Sequence, residues 1–198
     1  MASIEPKIIT TTDGSRLRIR TANTRDVQAM FLHREHMALT SEHNVTEHDE
    51  FDRNEEKLLA SLRDYAEKPG WLYLIAEHEH DAPEECGPIL GTLSFHNGSR
   101  RKLEHHGDFG ISVAAAWRGK GIGRALIEIL LEWATAHEQI EKVCLGVFAT
   151  NERAIQLYHR LGFRKEGVRR GFFKLAPGVY VDDLQMSKWV KERRSPES

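Results

Sequence analysis

The chain has 198 residues, 40% of them apolar and 29% charged, with a formal net charge of −2. That length and balance suit a single α/β domain with a core of its own. The near-neutral charge argues against a nucleic-acid surface, which shows as strong basicity. The two cysteines, Cys86 and Cys144, lie far apart without CxxC spacing, which argues against a disulfide framework or a zinc ribbon and for reduced thiols in a cytosol.

Met1 to Thr12 lacks the basic start and apolar run of a signal peptide. No stretch approaches the roughly 20 apolar residues that span a bilayer. The longest apolar-rich stretch, Ile122 to Ala136, is interrupted by Arg124, Glu128, Glu132 and Thr135. The expectation is a cytoplasmic protein with neither membrane nor nucleic acid as a partner.

In chain order, Arg16 to Arg20 alternates, with Leu17 and Ile19 on one face, which predicts a strand. Thr24 is the expected N-cap of a helix running to about Met37. A second helix is expected over Asn54 to Glu67, with Leu58, Leu59 and Leu62 at helical spacing and Pro69-Gly70 ending it. Strands over Trp71 to Glu77 and Ile89 to His96 should form a hairpin around an exposed Pro- and Gly-containing turn, Glu77 to Pro88. Asp108 to Val113 alternates through Phe109, Ile111 and Val113, another strand.

Ile122, Ala125, Leu126, Ile129, Leu130, Trp133 and Ala134 recur at i, i+3, i+4, the clearest helix in the chain. Val143 to Phe148 is apolar throughout, as a strand buried on both faces would be. Asn151 to Leu161 is a helix with Ala154, Ile155, Tyr158 and Leu161 on one stripe, and Gly162 stands where a glycine ends a helix. Phe163 onward and Val179 to Met186 supply two last strands. The pattern is α/β (α+β), helices covering a central mixed sheet. Lys191 to Ser198 reads as a flexible tail.

The stretch that carries chemistry is Val113-Ala-Ala-Ala-Trp-Arg-Gly-Lys-Gly-Ile-Gly-Arg-Ala-Leu126. Gly119, Gly121 and Gly123 fall between a strand and a long helix, where glycine lets the chain turn tightly and a ligand approach. The first amides of that helix have no intrahelical partner and sit at the positive end of its dipole. Arg118, Lys120 and Arg124 add cationic charge. The arrangement suits a pyrophosphate. It is not a P-loop, because Gly121 follows Lys120 where a hydroxyl is needed, and the glycine spacing is not that of a dinucleotide fold.

Two segments together resemble the GNAT acetyltransferase superfamily. Arg118-Gly-Lys-Gly-Ile-Gly123 matches that family's R/Q-x-x-G-x-G/A loop. Asn151-Glu-Arg-Ala-Ile-Gln-Leu-Tyr-His-Arg-Leu-Gly-Phe163 is similar to its N-x-x-A-x-x-x-Y-x-x-x-G-F signature. The resemblance covers roughly residues 16–190, a single domain preceded by an extension over 1–15 and followed by a tail over 191–198. It implies a central sheet whose fourth strand (Asp108–Val113) splays from the fifth (Val143–Phe148), acetyl-CoA as acyl donor, and an amine as acceptor.

By resemblance, backbone groups of Ile111, Ser112 and Val113 pair with the pantetheine arm. The amides of Arg118, Gly119, Lys120, Gly121, Ile122, Gly123 and Arg124 hold the pyrophosphate. Val113 N–H faces the thioester carbonyl, where a developing oxyanion needs a donor. Asn151 matches a cofactor-contacting position, with helix capping as the alternative. Tyr158 matches the position that protonates the departing thiolate, with a place in the core as the alternative. Asp108, at the start of its strand, is the candidate base, and His105 and His106 are its neighbours.

His33-Arg-Glu-His36 with His43 and His48 makes a histidine cluster, but HxxH is a weak metal pattern. A solvated helix face is the expectation there, with no metal site. The acidic stretch Glu42 to Glu56, and Asp182 with Asp183, suggest walls that attract a cation. They suggest a cationic amine, and the compactness of the chain favours a small one, such as a polyamine, an amino acid or an aminoglycoside. The alternatives are an N-terminal acetyltransferase of the ribosomal-protein type and an acetyl-CoA-binding module without turnover. The resemblance also brings a homodimer as a common arrangement.

Overall fold

A computed structural model describes residues 3–79 and 87–192. Among them are strands β1 (Lys7–Thr10), β2 (Arg16–Thr21), β3 (Trp71–His78), β4 (Ile89–Asn97), β5 (His106–Val113), β6 (Lys142–Phe148), β7 (Arg164–Ala176) and β8 (Val179–Trp189). Four α-helices accompany them: α1 (Val27–Thr40), α2 (Glu55–Glu67), α3 (Ile122–Ala136) and α4 (Glu152–Arg160). The strands join in the order β1-β2-β3-β4-β5-β6-β8-β7. The sheet is mixed: β5 and β6 run parallel, while β1/β2, β2/β3, β6/β8 and β7/β8 are antiparallel. The β5/β6 ladder covers three residue pairs, from His106↔Lys142 to Asp108↔Cys144, and β5 then continues to Val113. This is the splay expected of the Asp108–Val113 strand, which becomes the fifth strand because Lys7–Thr10 adds one ahead of it. The turn expected between β3 and β4 falls partly, and the tail mostly, outside the described residues.

The chain divides into two compact units, the first made of Met1–Phe95 with Gly110–Ile129. Its core gathers Val27 and Met30 of α1, Leu58 and Leu62 of α2, Ile75 of β3 and Ile89 of β4. Each such side chain contributes about 1.5–3 kcal/mol by leaving water. Asn23, not Thr24, caps the 3-10 turn Thr24–Asp26 that leads into α1. Its side chain accepts from Arg25 N, and the Asp26 carboxylate accepts from Asn23 N at 2.8 Å. This is a reciprocal box that satisfies two donors at once. Asp26 also takes the Arg20 guanidinium on both oxygens. Glu77, fully buried on β3, holds Arg18 and Arg20 together. So the second face of β2 is buried too, its arginines neutralised by carboxylates that arrive from elsewhere in the chain.

The second unit comprises His96–Phe109 and Leu130–Ser198. Val143 and Leu145 of β6 and Phe163 are buried. The rings of Phe109, Tyr158 and Phe163 meet at centroid distances of 5.8–6.0 Å. β6 was expected to be buried on both faces. Val143, Leu145 and Val147 are buried on one; on the other Phe148 is buried, Cys144 half-buried and Gly146 exposed. A Cβ on Gly146 would meet the Asp183 carboxylate, so glycine there makes room for that side chain. Gly162 takes φ +88°, the left-handed turn that ends α4, and Lys188 donates to Leu161 O at 2.8 Å, capping the last carbonyls.

Candidate active site

In the first unit, β5 ends at Val113, a 3-10 turn follows over Ala115–Trp117, and α3 begins at Ile122. Gly119 and Gly121 carry the reversal at φ +84° and +97°, a backbone region that side chains avoid. A Cβ on Gly121 would meet nothing within 4 Å, so its glycine is required by backbone shape, not crowding. The first helical bond runs from Ala125 N to Gly121 O. The amides of Ile122, Gly123 and Arg124 therefore open at the helix end.

Among the cations, Arg118 donates from Nε to Val113 O at 3.1 Å, tying the loop to the end of β5. Lys120 pairs with Asp13 at 2.9 Å and lies 4.2 Å above the Trp117 ring. The Thr11 hydroxyl first, then Lys120, hold the Asp13 carboxyl well below the usual carboxylate range. Arg124 pairs with Glu128 one turn along α3. Free amides, left-handed glycines and a basic rim fit the diphosphate of a nucleotide thioester.

Ser112, one residue before Val113, is where the sequence reading was most incomplete. Its hydroxyl lies 2.7 Å from His33 Nε2 and 2.9 Å from the Thr92 hydroxyl. His33 Nδ1 is 3.0 Å from Ile89 O. His33 is 5% exposed, and burial pushes its pKa down to about 4, so it is neutral near pH 7. The expected solvated histidine face is thus corrected at His33. It shares the inward stripe of α1 with Val27, Met30 and Met37, and that spacing was the available signal. No group of three or more metal-ligating side chains occurs among the described residues.

Within the acidic stretch, Asp52 pairs with Lys57, Glu50 accepts from Glu47 N and Glu55 accepts from Gln28, while Arg53 reaches back to Glu35.

In the second unit, Asp108 is exposed on β5 opposite Cys144. His105 and His106 meet edge to face at 4.8 Å, and His105 stacks on Trp189. Burial, then the His105 charge, lowers the His106 pKa. Tyr158 is 6% exposed, and desolvation pushes its phenol up to about 12. A phenol in that state is protonated throughout the neutral range. Asn151 caps α4 by accepting from Ala154 N at 3.2 Å, which leaves its amide N–H groups available. Asp183 is fully buried against Arg169 and Gln185, and Asp182 accepts from Gly171 N, so neither forms an open acidic wall.

The Acetyltransferase (GNAT) family model matches residues 32–163, two thirds of the chain. The chain belongs to the GNAT acetyltransferase family. It is accordingly an N-acetyltransferase that uses acetyl-CoA as acyl donor. This GNAT chain is 30% identical over 123 residues to the L-amino acid N-acetyltransferase AaaT of Escherichia coli (strain K12), covering 62% of the chain and 71% of AaaT. A GNAT-family acetyltransferase structure from Streptococcus pneumoniae superposes with TM-score 0.80 at 23% identity, over 88% of this chain and 99% of that one. YncA, a putative acetyltransferase from Salmonella typhimurium solved with acetyl-CoA, gives 0.74 at 22% identity over 92% and 98%. At those identities the two structures speak for the GNAT fold. No helix among the described residues is long and apolar enough to cross a membrane.

Proposed function

We propose that the acceptor is the α-amine of a small, carboxylate-bearing molecule of the amino-acid class. The observation that carries this reading is Arg34 of α1. It is exposed, makes no ion pair or hydrogen bond among the described residues, and its positive charge acts on Tyr65, Tyr73 and, more weakly than Lys57, on Asp52. An unpaired guanidinium presents a fork that matches a carboxylate. Among the acidic residues that would favour a polycation, Asp52 is neutralised by Lys57 and Asp183 by Arg169. The likeness to AaaT, an L-amino acid acetyltransferase, points the same way.

In this reading the amides of Ile122, Gly123 and Arg124, with Gly119, Lys120, Gly121 and Arg118, receive the pyrophosphate. Ile111, Ser112 and Val113 offer backbone groups to the pantetheine arm, and Asn151 offers its amide N–H groups. The amine nitrogen attacks the thioester carbonyl, and Val113 N–H stabilises the oxyanion. The C–S bond then breaks. Asp108 takes the amine proton and Tyr158 supplies one to the leaving thiolate.

The test is thiol release from acetyl-CoA with L-amino acids, polyamines, aminoglycosides and short N-terminal peptides as acceptors. L-amino acids should support release. Arg34→Ala should raise their KM and leave that of an amine without a carboxylate unchanged. Release with polyamines alone, or with N-terminal peptides alone, would overturn the substrate class.

A further inference from the structure

The hydrogen-bond chain behind Ser112 has only one consistent direction. The Ile89 carbonyl can only accept, so His33 Nδ1, 3.0 Å away, carries the ring proton. In a neutral ring Nε2 is then an acceptor, and its partner at 2.7 Å, the Ser112 hydroxyl, must donate to it. Ser112 has no second proton, so Thr92 donates to Ser112 across 2.9 Å. Thr92 has then spent its own proton on Ser112. His33 and Thr92 are buried, while Ser112 is half-buried. All four residues belong to the first unit.

We infer that His33 is a positioning residue that turns the Ser112 hydroxyl into a pure acceptor, and that this oxygen receives an N–H group of the incoming amine. A hydroxyl normally offers both a proton and lone pairs. Here the Ser112 proton is committed to His33, so the oxygen has only a lone pair left to offer. Such a group favours a ligand that brings an N–H donor and disfavours one that brings only acceptors, without placing a carboxylate in the subsite. It also orients the amine: with an N–H bond directed at that oxygen, the nitrogen lone pair is left for the thioester. The inference rests on acetyl transfer to an amine as the activity, and adds a group that recognises that amine.

Two measurements test it. The first needs no turnover. Imidazole ¹⁵N shifts of His33 should report a neutral ring protonated on Nδ1 at neutral pH; a ring protonated on Nε2, or an imidazolium, overturns the direction of the chain. The second measures binding of L-alanine and of ethylamine in the presence of CoA, by titrating amide resonances. Ser112→Ala should weaken both ligands by about threefold to tenfold, the loss of one hydrogen bond. CoA affinity should fall less than amine affinity, and Ser112→Thr should restore amine binding. His33→Gln, whose Oε1 can still accept from Ser112, should bind amines better than His33→Leu. Unchanged amine affinity in Ser112→Ala, or equal loss of amine and CoA affinity in every variant, overturns the proposal in favour of a purely structural role. Weakening of L-alanine alone would assign the effect to the carboxylate and overturn it as well. Absence of thiol release by the wild type, with these binding results intact, would sink the functional reading and leave the amine subsite standing.

Discussion

His33 should make the protein acid-sensitive by a calculable amount. Its pKa falls from 6.5 to about 4 in the folded chain because burial disfavours the imidazolium. Arg34 and His36 on the same helix push in the same direction, and the Ile89 carbonyl opposes them. The strands facing it bring the Ser112 hydroxyl, with Thr92 behind, and no carboxylate contact among the described residues. A folded pKa below the unfolded one means that the unfolded chain binds the proton first. The stabilisation is therefore fully present above about pH 6.5 and is lost as pH falls through about 4. At ~1.4 kcal/mol per pH unit, the full loss is about 3 kcal/mol. Urea titrations of the wild type and His33→Gln between about pH 7 and about pH 4.5 isolate it, since the carboxylates titrate alike in both. The wild type should lose most of that amount relative to the variant, which has nothing to protonate there. Parallel stability curves would refute the argument that His33 is buried and neutral.

Three further outcomes follow from the geometry. Tyr158→Phe should lower kcat by roughly 10²–10⁴ with acetyl-CoA affinity retained, and no alkaline limb from this phenol should appear below about pH 10, because it is held protonated up to about 12; stopped-flow thiol release across pH checks both. Gly121→Ala should strain the φ +97° turn by about 1–2 kcal/mol and weaken acetyl-CoA binding by up to about tenfold, read by calorimetry. Gly146→Ala would place a Cβ 2.8 Å from Asp183 Oδ1 and 3.0 Å from Gln185 Nε2. Arg169 and Gln185 pin that carboxylate, so the variant should lose about 1–3 kcal/mol in urea unfolding.

What the sequence revealed divides along physical lines. α3 was legible because seven apolar residues recur at one period, and α4 because Asn151 and Gly162 bracket it with a cap and a left-handed stop. The glycine loop was legible because left-handed backbone at a strand–helix junction draws glycine. β1 was missed: it is four residues long, and Ile8 remains 45% exposed, so it carries no strong alternation. The cap was assigned to Thr24 because threonine and asparagine compete there by type, and the reciprocal carboxylate of Asp26 decides for Asn23. The burial of Arg18 was hidden because its neutralising partner, Glu77, lies 59 residues away. His33 was misread for a similar reason. A histidine on an apolar stripe has the same spelling whether it meets water or a serine brought in 79 residues later.

The Arg20–Asp26–Glu77 cluster bears on how the chain matures. Asp26 serves at once the turn that starts α1 and the arginine of β2, and Glu77 closes the group from β3. On a ribosome, the emerging first 60 residues would hold two arginines facing inward with half of their counter-charge missing. Docking of α1 and the register of β2 against β3 therefore draw on one shared group of charges. The first unit moreover borrows Gly110–Ile129, so translation must pass the glycine loop before that unit can close. A nascent chain arrested ahead of the loop should stay open to protease, and one arrested well beyond it should resist.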